Sequence, residues 1–266
     1  MSALLKNFGF SDHPFARNPR KKALFQHAGF KEALRRLLFC VELDGFGQIV
    51  AETGCGKSLL LGELAGQLQH QGWVVHYFAH ATIGPFSLVN VLARKVGMAP
   101  RRSRGETAQV LAEKLNDDDR KHLVVMDEAH EMSDATLADV RLLTIGEFDR
   151  NSPFLLLLAG SPDLDDRLAD PTHHALEQRI TTFARLQPLS AEETNKYINL
   201  RLDAVSTKAK PVFEQGAIEA IFEASSGVPR RINNIATSAL IVTAARGRKL
   251  VAGQDVHDAL LDRGRA

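Results

Sequence analysis

A short glycine-containing segment is the part of the sequence whose residue types and spacing most clearly predict chemistry. It reads Gly54-Cys55-Gly56-Lys57-Ser58 and lies directly between an apolar run and a leucine-rich stretch. Glycines let the backbone approach phosphate oxygens and adopt positive φ, and successive N–H groups at a helix N-terminus solvate the phosphate charge. We therefore expect Lys57 to reach the β- and γ-phosphates of a nucleotide and the Ser58 hydroxyl to ligate Mg²⁺.

The phosphate-loop pattern departs from its full form at one position. A glycine is expected five residues before Gly56, where this sequence has Ala51. A methyl group must fit there, and we expect the exchange to be benign for the fold, with affinity for ATP as the property it could change. The predicted nucleotide-binding residues of the loop are Glu52, Thr53, Gly54, Cys55, Gly56, Lys57, Ser58 and Leu59.

Two adjacent acids predict the catalytic half of the site. Asp127 and Glu128 directly follow the apolar run 122–126. We expect Asp127 to hold Mg²⁺ and Glu128 to orient and deprotonate an attacking water, which favours hydrolysis over binding alone. With Ala129 and His130 the acids spell a helicase DEAH box. Such helicases resemble two tandem domains of this kind, whereas only one is present here, so we expect His130 to be a surface residue or to contact the site indirectly.

Five nearly continuous apolar runs predict the strands that must position these residues. They span 47–51, 73–79, 122–126, 154–159 and 180–186. Runs that are apolar on both faces indicate a mostly parallel sheet covered by helices. Helical patterns separate the runs, at 58–70, 86–96, 107–115 and 134–148. The predicted fold class is α/β, a P-loop NTPase with a five-stranded parallel sheet between helices.

The pattern changes after residue 187. Four amphipathic helical segments follow, at 191–203, 213–224, 230–245 and 253–261. We therefore predict two domains. Residues 1–187 comprise an N-terminal segment and the nucleotide-binding domain, and residues 188–266 form a small all-α lid.

Composition limits the remaining classes. The formal net charge of +1, from 33 basic and 32 acidic residues, creates no global field that favours nucleic acid or membrane. The two cysteines, Cys40 and Cys55, exclude a disulfide framework and suit a reducing compartment. The longest apolar runs are strand length, which predicts neither a membrane span nor a signal peptide. We therefore expect a cytoplasmic protein without membrane contact.

Three further polar residues occupy positions suited to the site. Ser161 follows the fourth predicted strand, where a hydroxyl could reach the attacking water or the γ-phosphate. Arg179 directly precedes the fifth strand. Arg230 belongs to a Gly-Val-Pro-Arg-Arg-Ile-Asn-Asn segment, residues 227–234, that opens a lid helix and points this arginine towards the nucleotide.

Taken in order, these motifs resemble the ExeA/TnsC branch of AAA+ ATPases, which includes TniB-like and MuB-like transposition proteins. The resemblance covers nearly the whole chain, from residue 8 through the phosphate loop to residues 227–233. It implies that Pro14 and Phe15 lie near the adenine. It also implies Ser161 as sensor 1, Arg179 as an arginine finger and Arg230 as sensor 2.

Two functions within this branch are compatible with the sequence. The first is a regulator of DNA transposition that oligomerises on double-stranded DNA, as a ring or helical filament, and recruits or activates a transposase, with a target-selection protein as a further candidate partner. The second is a secretion-accessory ATPase of the ExeA kind. ExeA-like proteins carry a membrane helix after the ATPase, and no apolar span is present before Ala266. We therefore favour transposition. A switch that binds ATP without turnover is disfavoured by Glu128.

A short basic loop is the candidate DNA contact. Arg101, Arg102 and Arg104 lie between the second and third predicted strands. Because no aromatic residue is interleaved with them, contact with phosphates is expected rather than reading of bases. The alternative is a loop that is merely solvated.

Overall fold

The computed structural model describes residues 3–16, 23–79, 85–143, 152–207, 210–262 and 264. Contacts divide the chain into two compact units. The first, here called the helical unit, comprises residues 1–28, 54–56 and 187–266. The second, here called the α/β unit, comprises residues 29–53 and 57–186. Each unit has its own hydrophobic core.

A five-stranded parallel sheet forms the centre of the α/β unit. Its strands are β1 (Phe46–Ala51), β2 (Val74–Phe78), β3 (His122–Met126), β4 (Leu155–Gly160) and β5 (Ile180–Leu186). They lie in the order β2-β3-β4-β1-β5, and every neighbouring pair is parallel. The three inner strands are buried along their whole length, whereas the edge strands β2 and β5 are partly exposed. The predicted parallel sheet is confirmed, and each predicted strand end lies within one residue of the observed end.

The helices of the α/β unit pack around the sheet. They are α2 (Ala28–Glu42), α3 (Lys57–His70), α4 (Pro85–Lys95), α5 (Arg104–Asn116), α6 (Asp134–Leu143), α7 (Asp163–Leu168) and α8 (His174–Glu177). Helix α5 begins earlier than predicted because Ser103 caps it: the Ser103 hydroxyl accepts a hydrogen bond from the Glu106 N–H at 3.1 Å. The predicted last turns of α6, residues 144–148, lie outside the described residues.

Helix α2 is an element that the sequence analysis did not predict. Its buried residues Phe30, Ala33, Leu34, Leu37 and Val41 follow helical spacing, so the sequence does contain the pattern of an amphipathic helix.

The helical unit contains the four predicted lid helices. They are α9 (Ala191–Asp203), α10 (Gln215–Ser225), α11 (Pro229–Ala245) and α12 (Gly253–Asp262). Helix α9 begins with a capping box, in which Ser190 and Glu193 each accept a backbone hydrogen bond from the other residue. The unit also includes α1 (Ala3–Phe8), which contributes Leu5 to the core.

The opening segment of the chain is attached to the helical unit by one buried arginine. Arg201 donates from Nε to the Pro14 carbonyl at 2.8 Å and from Nη2 to the Ala16 carbonyl at 2.7 Å. Its third nitrogen, Nη1, donates to the Tyr197 hydroxyl at 3.0 Å. The opening residues therefore contact residues 187–266, and the division into 1–187 and 188–266 stays a prediction.

A close backbone approach fixes the connection between α10 and α11. Gly227 has a φ of +72°, and a Cβ placed on it would lie 1.9 Å from the Leu189 carbonyl oxygen. The Leu189 N–H also donates to the Gly227 carbonyl at 2.9 Å. Only glycine combines this backbone conformation with this contact.

We expect Gly227→Ala to destabilise the protein by at least about 3 kcal/mol, because a left-handed alanine and a backbone collision occur together. Gly247→Ala is the matched control, because Gly247 has a φ of +67° with open space around its Cβ position. The control should cost about 1–2 kcal/mol from conformation alone. Urea denaturation followed by circular dichroism measures both variants, and equal midpoint shifts would contradict the steric explanation.

Candidate functional site

The backbone of the phosphate loop has the conformation that its glycines predict. Gly54 and Gly56 have φ of +100° and +105°, where a side chain would be strained. Ala51 is the last residue of β1, is paired with Leu186 of β5 and has no positive φ. Its methyl group is buried, and the strand accommodates it in an ordinary extended pairing.

A buried lysine lies between the two predicted catalytic acids in the α/β unit. The Lys57 Nζ is 2.8 Å from Asp127 Oδ1 and 3.1 Å from Glu128 Oε1. The side chains of Lys57 and Asp127 are 10% and 5% exposed, whereas that of Glu128 is 41% exposed. Two carboxylates this close repel one another, and the ammonium group compensates both. The structure thus brings together three residues that the sequence predicted for one site.

The backbone aims the two acids in different directions. Asp127 extends the sheet, because its N–H donates to the Phe78 carbonyl of β2 at 2.9 Å. The next residue, Glu128, has φ +55° and ψ +37° in the left-handed region. Such a conformation costs about 1 kcal/mol or more for a non-glycine residue and is typical of functional sites. Glu128 therefore leaves the strand direction and presents its carboxylate to solvent.

Asp127 has a further partner on β2 that the sequence analysis missed. The Tyr77 hydroxyl donates to Asp127 Oδ2 at 2.5 Å. Burial, and then the hydrogen bond to this carboxylate, raise the pKa of Tyr77, so the phenol keeps its proton. The sequence signal that could have indicated this contact is a tyrosine next to the last residue of strand β2.

His130 links the β3 end of the site to the end of β4. Its Nδ1 accepts the Ser161 N–H at 3.3 Å and lies 3.6 Å from Glu128 Oε2. Because a ring nitrogen that accepts a hydrogen bond carries no proton, the proton of a neutral His130 lies on Nε2. The structure therefore agrees with the expectation of indirect contact.

Ser161 has its backbone near the site, while its hydroxyl has another partner. The Oγ donates to Asp163 Oδ2 at 2.8 Å, in the first turn of α7. Contact of this hydroxyl with a nucleotide thus requires a change of rotamer. The sensor role of Ser161 stays a prediction.

Arg179 lies at the amino ends of the strands, whereas Asp127 and Glu128 lie at the carboxyl ends. It directly precedes β5, whose first residue pairs with Phe46 at the start of β1, and its guanidinium lies 5.7 Å from the centre of the Phe46 ring. Burial and the neighbouring Arg141 lower its pKa, although an arginine remains charged at neutral pH. The two ends of strands of this length are roughly 15–20 Å apart. Arg179 is therefore far from Asp127 and Glu128 of the same chain.

Within the helical unit, the start of α11 contacts the first glycine of the phosphate loop. The Arg230 N–H donates to the Gly54 carbonyl at 3.2 Å, and the Arg230 side chain is exposed. A Cβ on Gly54 would lie 2.7 Å from the Arg230 Cβ and 3.1 Å from a Val228 methyl group. Close packing is thus a second reason for glycine at position 54.

The other predicted nucleotide-binding residues differ in accessibility. Pro14 and Phe15 are buried, and the Phe15 ring meets Phe213 edge to face at 6.3 Å. Both residues are thus tightly held within the helical unit. The exposed members of the set are Glu52, Thr53, Ser58 and Leu59, whereas Cys55 is buried.

The candidate DNA-binding arginines do not have equivalent surroundings. The Arg101 and Arg102 side chains are exposed. Arg104 forms an ion pair with Asp139 of α6, whose side chain is only 7% exposed. Arg104 of the predicted basic loop is thus paired with an acid within the α/β unit.

The donor set fits a magnesium ion that arrives with a nucleotide. Asp127 and Ser58 offer oxygen ligands, which Mg²⁺ prefers, and Mg²⁺ in nucleotide sites takes its other ligands from phosphates and water. In the part of the chain that the structure describes, no group of three or more His, Cys, Asp or Glu residues could hold a metal ion by itself. The residues present therefore suit a shared site and not a protein-only metal site.

The central part of the chain matches a known family model. Residues 41–168 match the family model of the AAA domain. General secretion pathway protein A of Aeromonas hydrophila is 28% identical to this chain over 257 residues, which cover 94% of this chain and 46% of that protein. The chain thus spans about half the length of this curated relative. No described helix is both long and apolar enough to cross a membrane.

Solved structures share the fold. Cdc6p from Pyrobaculum aerophilum has a TM-score of 0.73 at 17% identity, covering 95% of this chain and 71% of its own. Drosophila ORC bound to DNA has a TM-score of 0.69 at 16% identity, covering 100% and 67%. The Thermotoga maritima RuvB Holliday junction branch migration motor has a TM-score of 0.57 at 17% identity, covering 88% and 68%. The fold is that of the AAA+ P-loop NTPases, as predicted.

Proposed function

We propose that this protein hydrolyses ATP in the presence of Mg²⁺ and is the ATPase part of a secretion-accessory protein similar to general secretion pathway protein A. The observation that supports hydrolysis is the buried Lys57 between Asp127 and Glu128, at the carboxyl edge of a parallel sheet. The match to the secretion protein over 94% of this chain supports the cellular process. That match favours the secretion alternative over the transposition function that the sequence analysis preferred.

In this proposal each residue of the site has a separate task. Lys57 leaves the two carboxylates and contacts the β- and γ-phosphates, which releases Asp127 Oδ1 and Glu128 Oε1. Ser58 and Asp127 would hold the metal ion, which would neutralise the developing charge on the phosphates. Pro14 and Phe15 lie at the adenine, and Arg230 contacts the phosphates. The roles of Pro14, Phe15 and Arg230 are those that the resemblance to the ExeA/TnsC branch implies.

Glu128 suits the proton-transfer step because its carboxylate is accessible. It accepts a proton from the water that attacks the γ-phosphorus, while the bond from that phosphorus to the β–γ bridging oxygen breaks. Its left-handed backbone turns the chain out of the strand direction directly after Asp127. Ser161 and His130 then connect the end of β4 with this carboxylate.

We expect Glu128→Gln to bind ATP with little change and to hydrolyse it at least about 10²-fold more slowly, because an amide can orient the water but cannot take its proton. Lys57→Ala is the contrasting variant and should weaken ATP binding itself. Phosphate release and the binding of a fluorescent ATP analogue measure the two effects. Near-normal turnover by Glu128→Gln would remove this residue from the mechanism.

The proposal also requires self-association. Arg179 lies at the amino ends of the strands, away from Asp127 and Glu128 of the same chain. An arginine finger that acts in trans must face the nucleotide of a neighbouring subunit. A head-to-tail contact of this kind repeats as a closed ring or a helical filament. The functional unit in this proposal is a homo-oligomer in which each nucleotide is shared by two subunits.

We expect Arg179→Ala to bind ATP and to hydrolyse it about 10³-fold more slowly, by analogy with arginine fingers in P-loop GTPases. Mixing this variant with Lys57→Ala should restore part of the activity, because some interfaces then join an intact lysine to an intact arginine. Size-exclusion chromatography verifies that the two variants co-assemble. If co-assembled variants stay inactive, the trans role belongs to another residue, and Arg185, which pairs with Asp165, becomes the next candidate.

DNA transposition remains a second candidate because of two exposed arginines, Arg101 and Arg102, and because one structural neighbour, Drosophila ORC, was solved bound to DNA. In that function the protein would assemble on double-stranded DNA in an ATP-dependent way and engage a transposase. A secretion-accessory ATPase has no need of duplex DNA. Duplex binding therefore separates the two candidates.

We expect no ATP-dependent binding to a labelled random duplex in fluorescence anisotropy. The matched variant carries Arg101→Ala and Arg102→Ala and retains Arg104, because loss of Arg104 would leave the buried Asp139 without its ion pair. Binding that strengthens with a non-hydrolysable ATP analogue, and whose salt slope falls by about one for each lost arginine, would support transposition instead.

A further inference from the structure

The geometry at the end of β2 gives Tyr77 a defined place beside the metal-binding acid. Strands β2 and β3 are paired in parallel, with Tyr77 opposite Val125 and Phe78 opposite Met126. The Asp127 N–H then continues this pairing by donating to the Phe78 carbonyl at 2.9 Å. Backbone pairing therefore holds Asp127 next to Tyr77 whether or not the two side chains interact.

The two oxygens of Asp127 have different partners. Oδ1 accepts from the Glu128 N–H at 2.9 Å and lies 2.8 Å from the Lys57 Nζ. Oδ2 accepts from the Tyr77 hydroxyl at 2.5 Å. Within the described part of the chain, Lys57 and Tyr77 are the side chains that contact Asp127. The lysine and the phenol thus occupy separate oxygens and do not compete.

The phenol is suited to remain while the lysine leaves. Tyr77 is anchored in a paired strand, and its hydroxyl donates a hydrogen bond to Asp127 Oδ2. Lys57 has a flexible four-carbon side chain and, under the proposed function, moves to the phosphates of ATP. Asp127 is then a buried carboxylate without its ammonium partner, which is costly unless another donor remains. The Tyr77 hydroxyl on Oδ2 and the Glu128 N–H on Oδ1 are the donors that remain, and Tyr77 is the side chain among them.

We propose that Tyr77 is a positioning residue for the metal site: by holding Oδ2, it fixes the orientation of the Asp127 carboxylate that would bind Mg²⁺ once Lys57 leaves. This inference rests on the proposed function. Tyr77 acts through Asp127 and does not contact the reacting atoms. Outer partners of metal ligands fix the orientation of the ligand, and their loss lowers metal affinity or activity about 10–100-fold.

The test compares Tyr77→Phe with the unaltered protein in two measurements. The first is the affinity for a fluorescent ATP analogue in EDTA and at increasing Mg²⁺. The second is the Mg²⁺ concentration that gives half-maximal ATP hydrolysis at saturating ATP. We expect unchanged affinity in EDTA, a loss of most of the Mg²⁺-dependent gain in affinity, and a half-maximal Mg²⁺ concentration about 10-fold higher.

Tyr197→Phe is the matched control, because the chain has two tyrosines and this one also makes side-chain hydrogen bonds. It removes a phenol from the helical unit and should leave both Mg²⁺ measurements unchanged. Thermal denaturation verifies that both variants are folded. Because Tyr77 is 40% exposed, the loss of its hydroxyl should alter the melting temperature little.

Three results would overturn the proposal: an unchanged Mg²⁺ response in Tyr77→Phe, an equal change in Tyr197→Phe, or a weaker affinity already present in EDTA. The binding measurement does not depend on turnover. If the unaltered protein binds the analogue more tightly with Mg²⁺ but hydrolyses no ATP, the proposed function fails, while the Mg²⁺ dependence of binding still tests Tyr77.

Discussion

Two carboxylates and one ammonium group meet at the carboxyl ends of the parallel strands. Asp127 is buried and Glu128 is partly exposed, and without Lys57 the charges of these neighbouring acids would repel one another. The lysine begins α3, directly after the phosphate loop, and the acids end β3, so this interaction depends on the position of both elements. The position of this lysine depends on three features: the parallel order of the strands, the positive φ of Gly56 and the burial of α3.

The differing exposure of the two acids divides their chemistry. Asp127 lies in continuation of the sheet and has donors on both oxygens, which suits a ligand that must keep its orientation. Glu128 has left the strand through a left-handed residue and is open to water, which suits a group that must exchange protons with solvent. A single change of backbone conformation between neighbours thus accompanies the difference in exposure between the two acids. His130 lies between the Glu128 carboxylate and the backbone N–H of Ser161, the residue that follows β4.

The sequence predicted best what depends on local pattern. The strands were recognised because inner strands are apolar on both faces, and the phosphate loop because glycines were required at positions 54 and 56. Tyr77 could not be found in this way, because it contacts an acid 50 residues away, and the contact depends on β2 lying beside β3. Arg104 shows the opposite limit. Its neighbours suggested a basic loop, but the charge of Asp139 on another helix determines what this arginine does.

The union of residues 1–28 with residues 187–266 in one compact unit affects the order in which the chain can fold. The α/β unit is encoded almost without interruption between residues 29 and 186, so its contacts can form as soon as that stretch has left the ribosome. The opening segment is synthesised first, yet Pro14 and Ala16 meet their buried donor, Arg201, only after nearly 190 further residues have been made. During synthesis this segment lacks the partners that residues 187–266 provide in the folded unit. Closing so long a loop is slow compared with local folding, so we expect the five-stranded sheet to form before the N-terminal segment is in place.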